Sequence, residues 1–563
     1  MSILLITPPF VQLNSFYPAT TQLTGFLRYH GHECTQYDLG IDTALGIFSK
    51  QFILKHLGES HFANNIEAVI KFLQGQDPTL ATRIVAREFL PEGKRFCVYD
   101  DEQLDWAFGN TGVQDKAKHL ATLYIQDLAD LIREKIAPEF DIIRYAEQIA
   151  IAATTFDPVI ESANQVNPVT KLMLDLLDAK ISQTAPQFIG FSVPFPGCLV
   201  TTLQCAQYIK KKYPHIKIIM GGGYVNTELR TLTDERIFDY IDYLCFDDGE
   251  LPLLRIIEGG ELVRTMVRGK MSFVECHEKF QPIVDFDGIE SRKYISFLEL
   301  VNPMHKMWSD GFWNKLTMAH GCYWAKCAFC DTRLDYIGRY DAQSARNVVD
   351  TMERVMVQTG SSGFHFTDEA LPPKLLCEVA EEILRRKIVV SYWGNIRFEK
   401  AYTPERCKLL AKSGFVAASG GLEVASPRIL KKINKGVTID QAEQAALNLT
   451  EAGIMIHAYL MYGFPTQTFS ETVESLDVVR SMFANGALQS AFWHCFALTA
   501  HSPIGAEYNV KTDNPFANNG VDFDPQFNYD LEAVGAVLKR ATYNFMHGLG
   551  LETPAKKWFK GII

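Results

Sequence analysis

The opening of the chain alternates short apolar runs with amphipathic stretches. ILLITPPF, a helical period over residues 19–29 and HECTQYDLG predict strand, helix, strand. From about residue 43 to 183 the period becomes helical throughout, as in DKAKHLATLYIQDLADLIREKIAPEF and NPVTKLMLDLLDAKIS, which predicts a helical insertion. Alternation then resumes with QFIGFSV, a helix over 199–212, HIKIIMGGG, a helix near 227–239, YIDYLCF and a helix from Glu250. Short apolar strands, each followed by a helix long enough to cross over, predict a doubly wound, Rossmann-like parallel sheet of five strands.

Residues 261–312 show no sustained period and are expected to link this first unit (1–260) to a second. The second series starts at NKLTMAHGC. Its strands are expected near 315–319, 363–366, 389–393, 415–419, 454–462 and 491–498, with helices between them. Six such units predict a partial (β/α)6 barrel over 313–505, whose site lies at the strand C-terminal ends. Residues 506–563 are expected to form a helical tail.

Composition narrows the class. A chain of 563 residues, 47% hydrophobic and 21% charged, is that of a multidomain globular protein. The formal charge of −11 provides no general attraction to a phosphate backbone, so nucleic acid is a disfavoured partner. No basic segment precedes the first apolar run, and Pro8 and Pro9 interrupt it. No apolar stretch reaches the roughly 20 residues that cross a bilayer. A cytoplasmic location is expected, and the twelve dispersed cysteines suit a reducing compartment.

Only three cysteines cluster. His320-GCYWAKCAFCDTR places Cys322, Cys327 and Cys330 within nine residues, directly after an expected strand. Three centres are compatible with such a loop. Structural zinc needs a fourth ligand, for which His320 or His365 is available, but there is no second CxxC pair. A conventional electron-transfer cluster needs a fourth cysteine, and the next, Cys377, lies 47 residues on. The third is a cluster on three thiolates with one iron open to a small molecule.

The loop resembles the signature of radical S-adenosylmethionine (SAM) enzymes, with Phe329 where that family usually has an aromatic residue. Four residues rather than the usual three separate Cys322 from Cys327. The resemblance extends across about 313–505. It implies a [4Fe-4S] cluster whose open iron binds SAM for reductive cleavage. It further implies roles for Asp368 and Glu369 at the methionine ammonium, Arg397 at its carboxylate and Glu423 at the ribose. Gly463 and Pro465 would lie beneath adenine, with Gln467 replacing an acidic residue often found there.

The first unit resembles the cobalamin-binding domain of a large radical SAM subfamily, through its PP, FSV, GGG and DDGE strand ends. That implies Ser192 and Gly221, Gly222 and Gly223 as corrin or tail contacts, although Asp-x-His-x-x-Gly, the source of a lower cobalt ligand elsewhere, is absent from the sequence. The reaction implied is cobalamin-dependent methyl transfer to a carbon of a small molecule or peptide, with a reducing partner such as flavodoxin or ferredoxin. A cobalamin-independent rearrangement or cyclisation and a non-catalytic corrinoid or Fe-S binding protein are the alternatives. Transfer-RNA methylthiolation is disfavoured by the acidic charge and the lack of a basic C-terminal module. Alternation along IMIHAYLMYG puts His457 and Tyr459 on one strand face, from which they are candidate catalytic residues lining the cavity.

Overall fold

The computed structural model describes residues 1–98, 101–109, 112–142, 153, 155–299, 301–308, 311–508 and 527–561. The first sheet runs β2-β1-β3-β4-β5-β6, with β1 Ser2–Thr7, β2 Glu33–Asp38, β3 Phe188–Ser192, β4 Lys217–Gly221, β5 Tyr243–Cys245 and β6 Thr265–Met266. β1 to β5 are parallel. β6 returns antiparallel to β5, a sixth strand too short to leave a period in the sequence. Ile3 to Ile6 and Ile218 to Met220 are buried because both faces of a parallel sheet are covered. The chain leaves β1 towards β2 on one side and later enters β3 on the other, so the strand order reverses between β1 and β3. Open parallel sheets form their ligand crevice at such a switch point.

Between β2 and β3 the insertion is helical. Its longest helix, Val113–Lys135, buries Ala117, Leu120, Tyr124 and Leu128 along one face. The helix Pro168–Thr184 starts from an Asn167–Thr170 capping box. Expected helix over 143–152 lies outside the described residues. The helix expected near 227–239 is instead a short one, Gly223–Glu228, followed by a 3-10 turn, Glu235–Asp239, capped by Asp234.

The segment joining the two sheets is irregular yet firmly strapped down. Gln36 Nε2 donates to the carbonyls of Asp285 and Asp287 at 2.8 and 2.7 Å. Asp285 N donates to Thr21 O, and Ile295 N to Leu13 O. Further along, Leu298 O lies 2.8 Å from His119 Nδ1 on the long insertion helix.

The second sheet has the order β14-β13-β12-β11-β10-β7: β7 Asn314–Leu316, β10 Gly363–Phe366, β11 Ser391–Ile396, β12 Phe415–Glu423, β13 Met455–Tyr462 and β14 Ser490–Cys495. A small antiparallel pair, β8 Ala319–His320 and β9 Asp341–Ala342, follows β7. All pairings of the six are parallel, and among the described residues β7 and β14 do not pair, so the barrel is partial. Phe364 and Phe366 point outward into a core with Leu376 and Val379 of the helix Pro373–Arg386, which puts Lys315, His365 and Trp393 on the inner face. The linker's Met304, Met307 and Trp308 pack against Trp393 and Ala417. The helix Leu531–Met546 covers β14, where Trp493 Nε1 donates to Thr542 Oγ1 at 2.7 Å. Residues 509–526 of the expected tail lie outside the described residues.

Candidate functional site: the cysteine loop and the crevice beside it

Cys322, Cys327 and Cys330 stand on the loop that leaves β8, at the C-terminal end of the second sheet. Its entry is fixed by Asp368, which is buried and accepts hydrogen bonds from the backbone N–H of Met318 and Ala319 at 2.8–3.1 Å. Burial pushes its carboxyl up to about 7, against those hydrogen bonds, which hold it down. Asp368 therefore positions the chain just before the cysteines, whereas the neighbouring Glu369 is exposed and available to a cation.

Within the loop, Cys330 N donates to Cys327 O. The Cys327 thiol is drawn down by its hydrogen bond with the Cys330 thiol, which is pushed up in turn, and Lys435 and Arg397 add to the lowering at Cys327 against the cost of burial. A thiolate-favouring setting is what a metal ligand requires. Of the two histidines that could complete a zinc site, one is engaged at both ring nitrogens and the other is packed face-on against an indole. His320 lies between Asp248 and Asp335, with Nδ1 at 3.2 Å from one and Nε2 at 3.0 Å from the other. His365 is stacked on Trp393, ring centroids 3.7 Å apart. Three sulfurs with no fourth protein ligand among the described residues fit an iron–sulfur cluster with one open position better than closed structural zinc.

Two cations flank the thiols. Arg397 is buried, and its guanidinium is already engaged: Nε with Glu399 at 2.7 Å, Nη2 with Lys435 O at 2.6 Å and Nη1 with Cys327 Sγ at 3.9 Å. The fork expected at a ligand carboxylate is thus engaged within the protein, where it ties the loop to Lys435 and Glu399. Lys435 was not singled out from the sequence. It is buried, its Nζ lies 2.6 Å from Glu423 Oε1 and 5.7 Å from the centroid of the Phe329 ring. Its sequence signal is weak, because Arg428, Lys431 and Lys432 lie between the β12 acid and Lys435.

Glu423 owes its aim to a register shift between Gly421 and Glu423 at the end of β12, and it has φ +59°. Gly421 leaves room for the pair, since a Cβ there would stand 1.9 Å from Glu423 Oε1 and 2.6 Å from Lys435 Nζ. Phe329 is half-buried against the cluster of Val424, Ile429 and Phe464. Gly463 and Pro465 form the turn after β13. Gln467 closes that turn by accepting from Phe464 N and donating to Thr472 Oγ1. An amide does both, which a carboxylate could not.

His457 and Tyr459 share the inner face of β13, in register with Ser419 and Gly421 of β12. His457 is buried, bonded through Nδ1 to Ser490 Oγ at 2.9 Å and packed edge-on against Trp308. Burial drives its pKa down to about 3, so it stays neutral. Tyr459 is partly exposed, as is Phe492 beside it on β14. The first is a packed wall residue, the second an accessible one.

Beyond the C-terminal ends of the first sheet a cavity of about 240 Å³ is lined by Tyr17, Ser192, Gly221, Gly222, Asp248 and Glu250, with Thr317 of the second unit on its border. Ser192 Oγ is buried there without a hydrogen-bond partner, an oxygen suited to a polar ligand. Gly222 and Gly223 serve packing first: a Cβ on either would fall within 3 Å of the Val193 or Pro194 backbone. The cavity and the cysteine loop meet through Asp248, which lines the former and pairs with His320, two residues before Cys322.

Residues 316–479, which hold the partial barrel and the cysteine loop, match the model of the Radical SAM superfamily. An uncharacterized methyltransferase of Pyrococcus horikoshii is 23% identical over 314 residues, 54% of this chain and 66% of that protein. Bacteriochlorophyllide d C-12(1)-methyltransferase of Chlorobaculum tepidum is 28% identical over 295 residues, 51% of this chain and 60% of that one. The matched stretches thus span about two thirds or less of those relatives. The fold is shared with the cobalamin-dependent S-adenosylmethionine radical enzyme OxsB with aqua-cobalamin bound, at a TM-score of 0.53 and 12% identity, covering 95% of this chain and 66% of that chain. No described helix is long and apolar enough to cross a membrane.

Proposed function

We propose that this protein is a radical SAM enzyme that transfers a methyl group to a carbon centre of a small molecule or peptide with the help of cobalamin. The observation that carries the reading is the three-thiol loop flanked by Lys435 and Glu423, opening beside a crevice at the switch point of the first sheet. When bound, the cluster supplies the electron for reductive SAM cleavage and cobalamin supplies a methyl carrier.

The residues then divide the remaining work. Cys322, Cys327 and Cys330 hold the cluster. Lys435, in place of Arg397, meets the methionine carboxylate with a charge-assisted hydrogen bond, and Glu369 meets its ammonium. Glu423 accepts from the ribose hydroxyls, Gly463 and Pro465 support adenine, and Phe329 excludes water from the sulfonium side. Asp368 and Arg397 fix the loop without touching the nucleotide. Ser192 and Gly221 contact the corrin or its tail, and Tyr459 lines the substrate wall. A flavodoxin or ferredoxin delivers the electron, and a cytoplasmic location suits that supply.

Anaerobic reconstitution with iron and sulfide tests the proposal. The expected products under reduction are 5'-deoxyadenosine and S-adenosylhomocysteine, with a corrin spectrum in protein supplied with cobalamin. Bound zinc, or an iron centre whose spectrum is indifferent to SAM, would overturn it. Formation of 5'-deoxyadenosine alone, without corrin uptake, would select the rearrangement chemistry instead.

A further inference from the structure

The four-residue span between Cys322 and Cys327 must be accommodated without displacing the thiols. The chain turns at Ala325, which has φ +44°, left-handed backbone unusual for a residue with a side chain. The preceding Trp324 is seated against the segment Ile433–Gly436. Its Nε1 donates to Asn434 O at 3.0 Å, and the Arg397 guanidinium lies 4.5 Å from the ring centroid. Opposite, Gly436 has φ +76°, and a Cβ there would stand 2.2 Å from Trp324 Cζ2, so the indole occupies the space that any other residue would fill.

The two segments are laced together on either side of the indole. Asn434 Nδ2 donates to Lys326 O at 3.0 Å, and Ala328 N donates to Ile433 O at 2.9 Å. Arg397 spans the same seam from Cys327 Sγ to Lys435 O. Lys435 belongs to that segment, so whatever fixes the seam also fixes the distance from the ammonium to the thiols.

We propose that Trp324 is a positioning residue that pins the enlarged cysteine span to the Ile433–Gly436 segment, holding Cys327 in register with Lys435 and Glu423. The inference rests on the cluster-and-SAM reading of the site, because the register matters only if one ligand bridges thiol-held iron and the Lys435 ammonium. Partners of this kind, one shell removed from a metal, are typically worth about 10–100-fold in affinity or activity.

The test is W324A against wild type, each reconstituted anaerobically. The measurements are iron and sulfide content, equilibrium SAM binding, the electron paramagnetic resonance of the reduced cluster with and without SAM, and thermal unfolding of the unloaded protein. W324A should bind SAM about tenfold or more weakly, and its cluster signal should respond to SAM less, or with altered g-values, while W324F, which keeps the stacked face, recovers most of the response. W324A with wild-type affinity and a wild-type SAM-induced shift would overturn the proposal. Should W324A not fold, W324L decides, since it keeps apolar volume and lacks both ring and N–H: the same loss supports the clamp and wild-type behaviour removes it. A wild-type protein whose cluster ignores SAM would instead count against the functional reading.

Discussion

Lys435 Nζ and Glu423 Oε1 stand 2.6 Å apart, an ion pair between residues twelve apart in sequence, and both side chains are close to fully covered. Neither charge is well solvated, so the pair is held by mutual attraction, and on the function proposed above SAM divides it: its carboxylate for the ammonium, its hydroxyls for the carboxylate.

Replacing Lys435 by Met should therefore weaken SAM binding while leaving the cluster in place. A hydrogen bond to a charged group is worth about 1.5–3 kcal/mol, or about 10–150-fold in Kd. Equilibrium binding to reconstituted K435M checks this, with iron content as the control. Unchanged SAM affinity removes Lys435 from the carboxylate.

Gly421 makes a separate prediction, because the nearest atoms to an added Cβ are the two charged tips themselves. G421A should force the pair apart and lower SAM affinity at least as much as K435M, with a thermal midpoint close to wild type, since side-chain tips rather than backbone must move. A large loss of midpoint with no change in SAM affinity would show that Gly421 serves the fold instead.

Much of this was readable in the sequence. Parallel strands carry near-continuous apolar runs, so ILLIT, FIGFS and KIIMG announced themselves, and three cysteines in nine residues have few uses. Two-residue β6 left no period, and the helix expected near residues 227–239 divides because Asp234 caps a new turn. Arg397 and Lys435 show why cations resist assignment: one directly follows β11 and the other lies in a loop beyond β12, and which of them is free to face a ligand depends on Lys435 O and Glu399 accepting from Arg397 first. Likewise, His457 looks the same in sequence whether it is a base or a packed ring, and only its burial beside Trp308 and Ser490 separates the two.

The bridge between the units should show in stability. Arg339 pairs with both Asp248 and Asp335, on either side of His320. Burial opposes the charge on Asp335, but hydrogen bonds from His320 and Arg339 outweigh it and hold the carboxyl well below its usual range. Breaking a buried pair by removing one partner costs about 3–5 kcal/mol. D335N is expected to lower the thermal midpoint and to raise amide exchange in the loop around Asp248. A midpoint within about 1 °C of wild type, against the several degrees expected per kcal/mol lost, would leave the bridge without structural weight.

A pH experiment isolates the turn after β13. Glu471 is the N3 partner in the Thr468 capping box and also binds Arg428 and Ser426. Arg428 leads the interactions that lower its pKa from the ordinary 4.5 to about 2, against a smaller opposing effect of burial. Because the folded value lies below the unfolded one, the stabilisation is fully present above about pH 4.5 and disappears as the pH falls towards 2. Arg428 is half exposed, so solvent screening limits the contribution to about 1 kcal/mol. E471Q should therefore unfold at lower denaturant than wild type at pH 7, and the gap between them should narrow steadily between pH 5 and pH 3. A gap that is constant across that range would mean that Glu471 acts through its shape in the capping box and not through its charge.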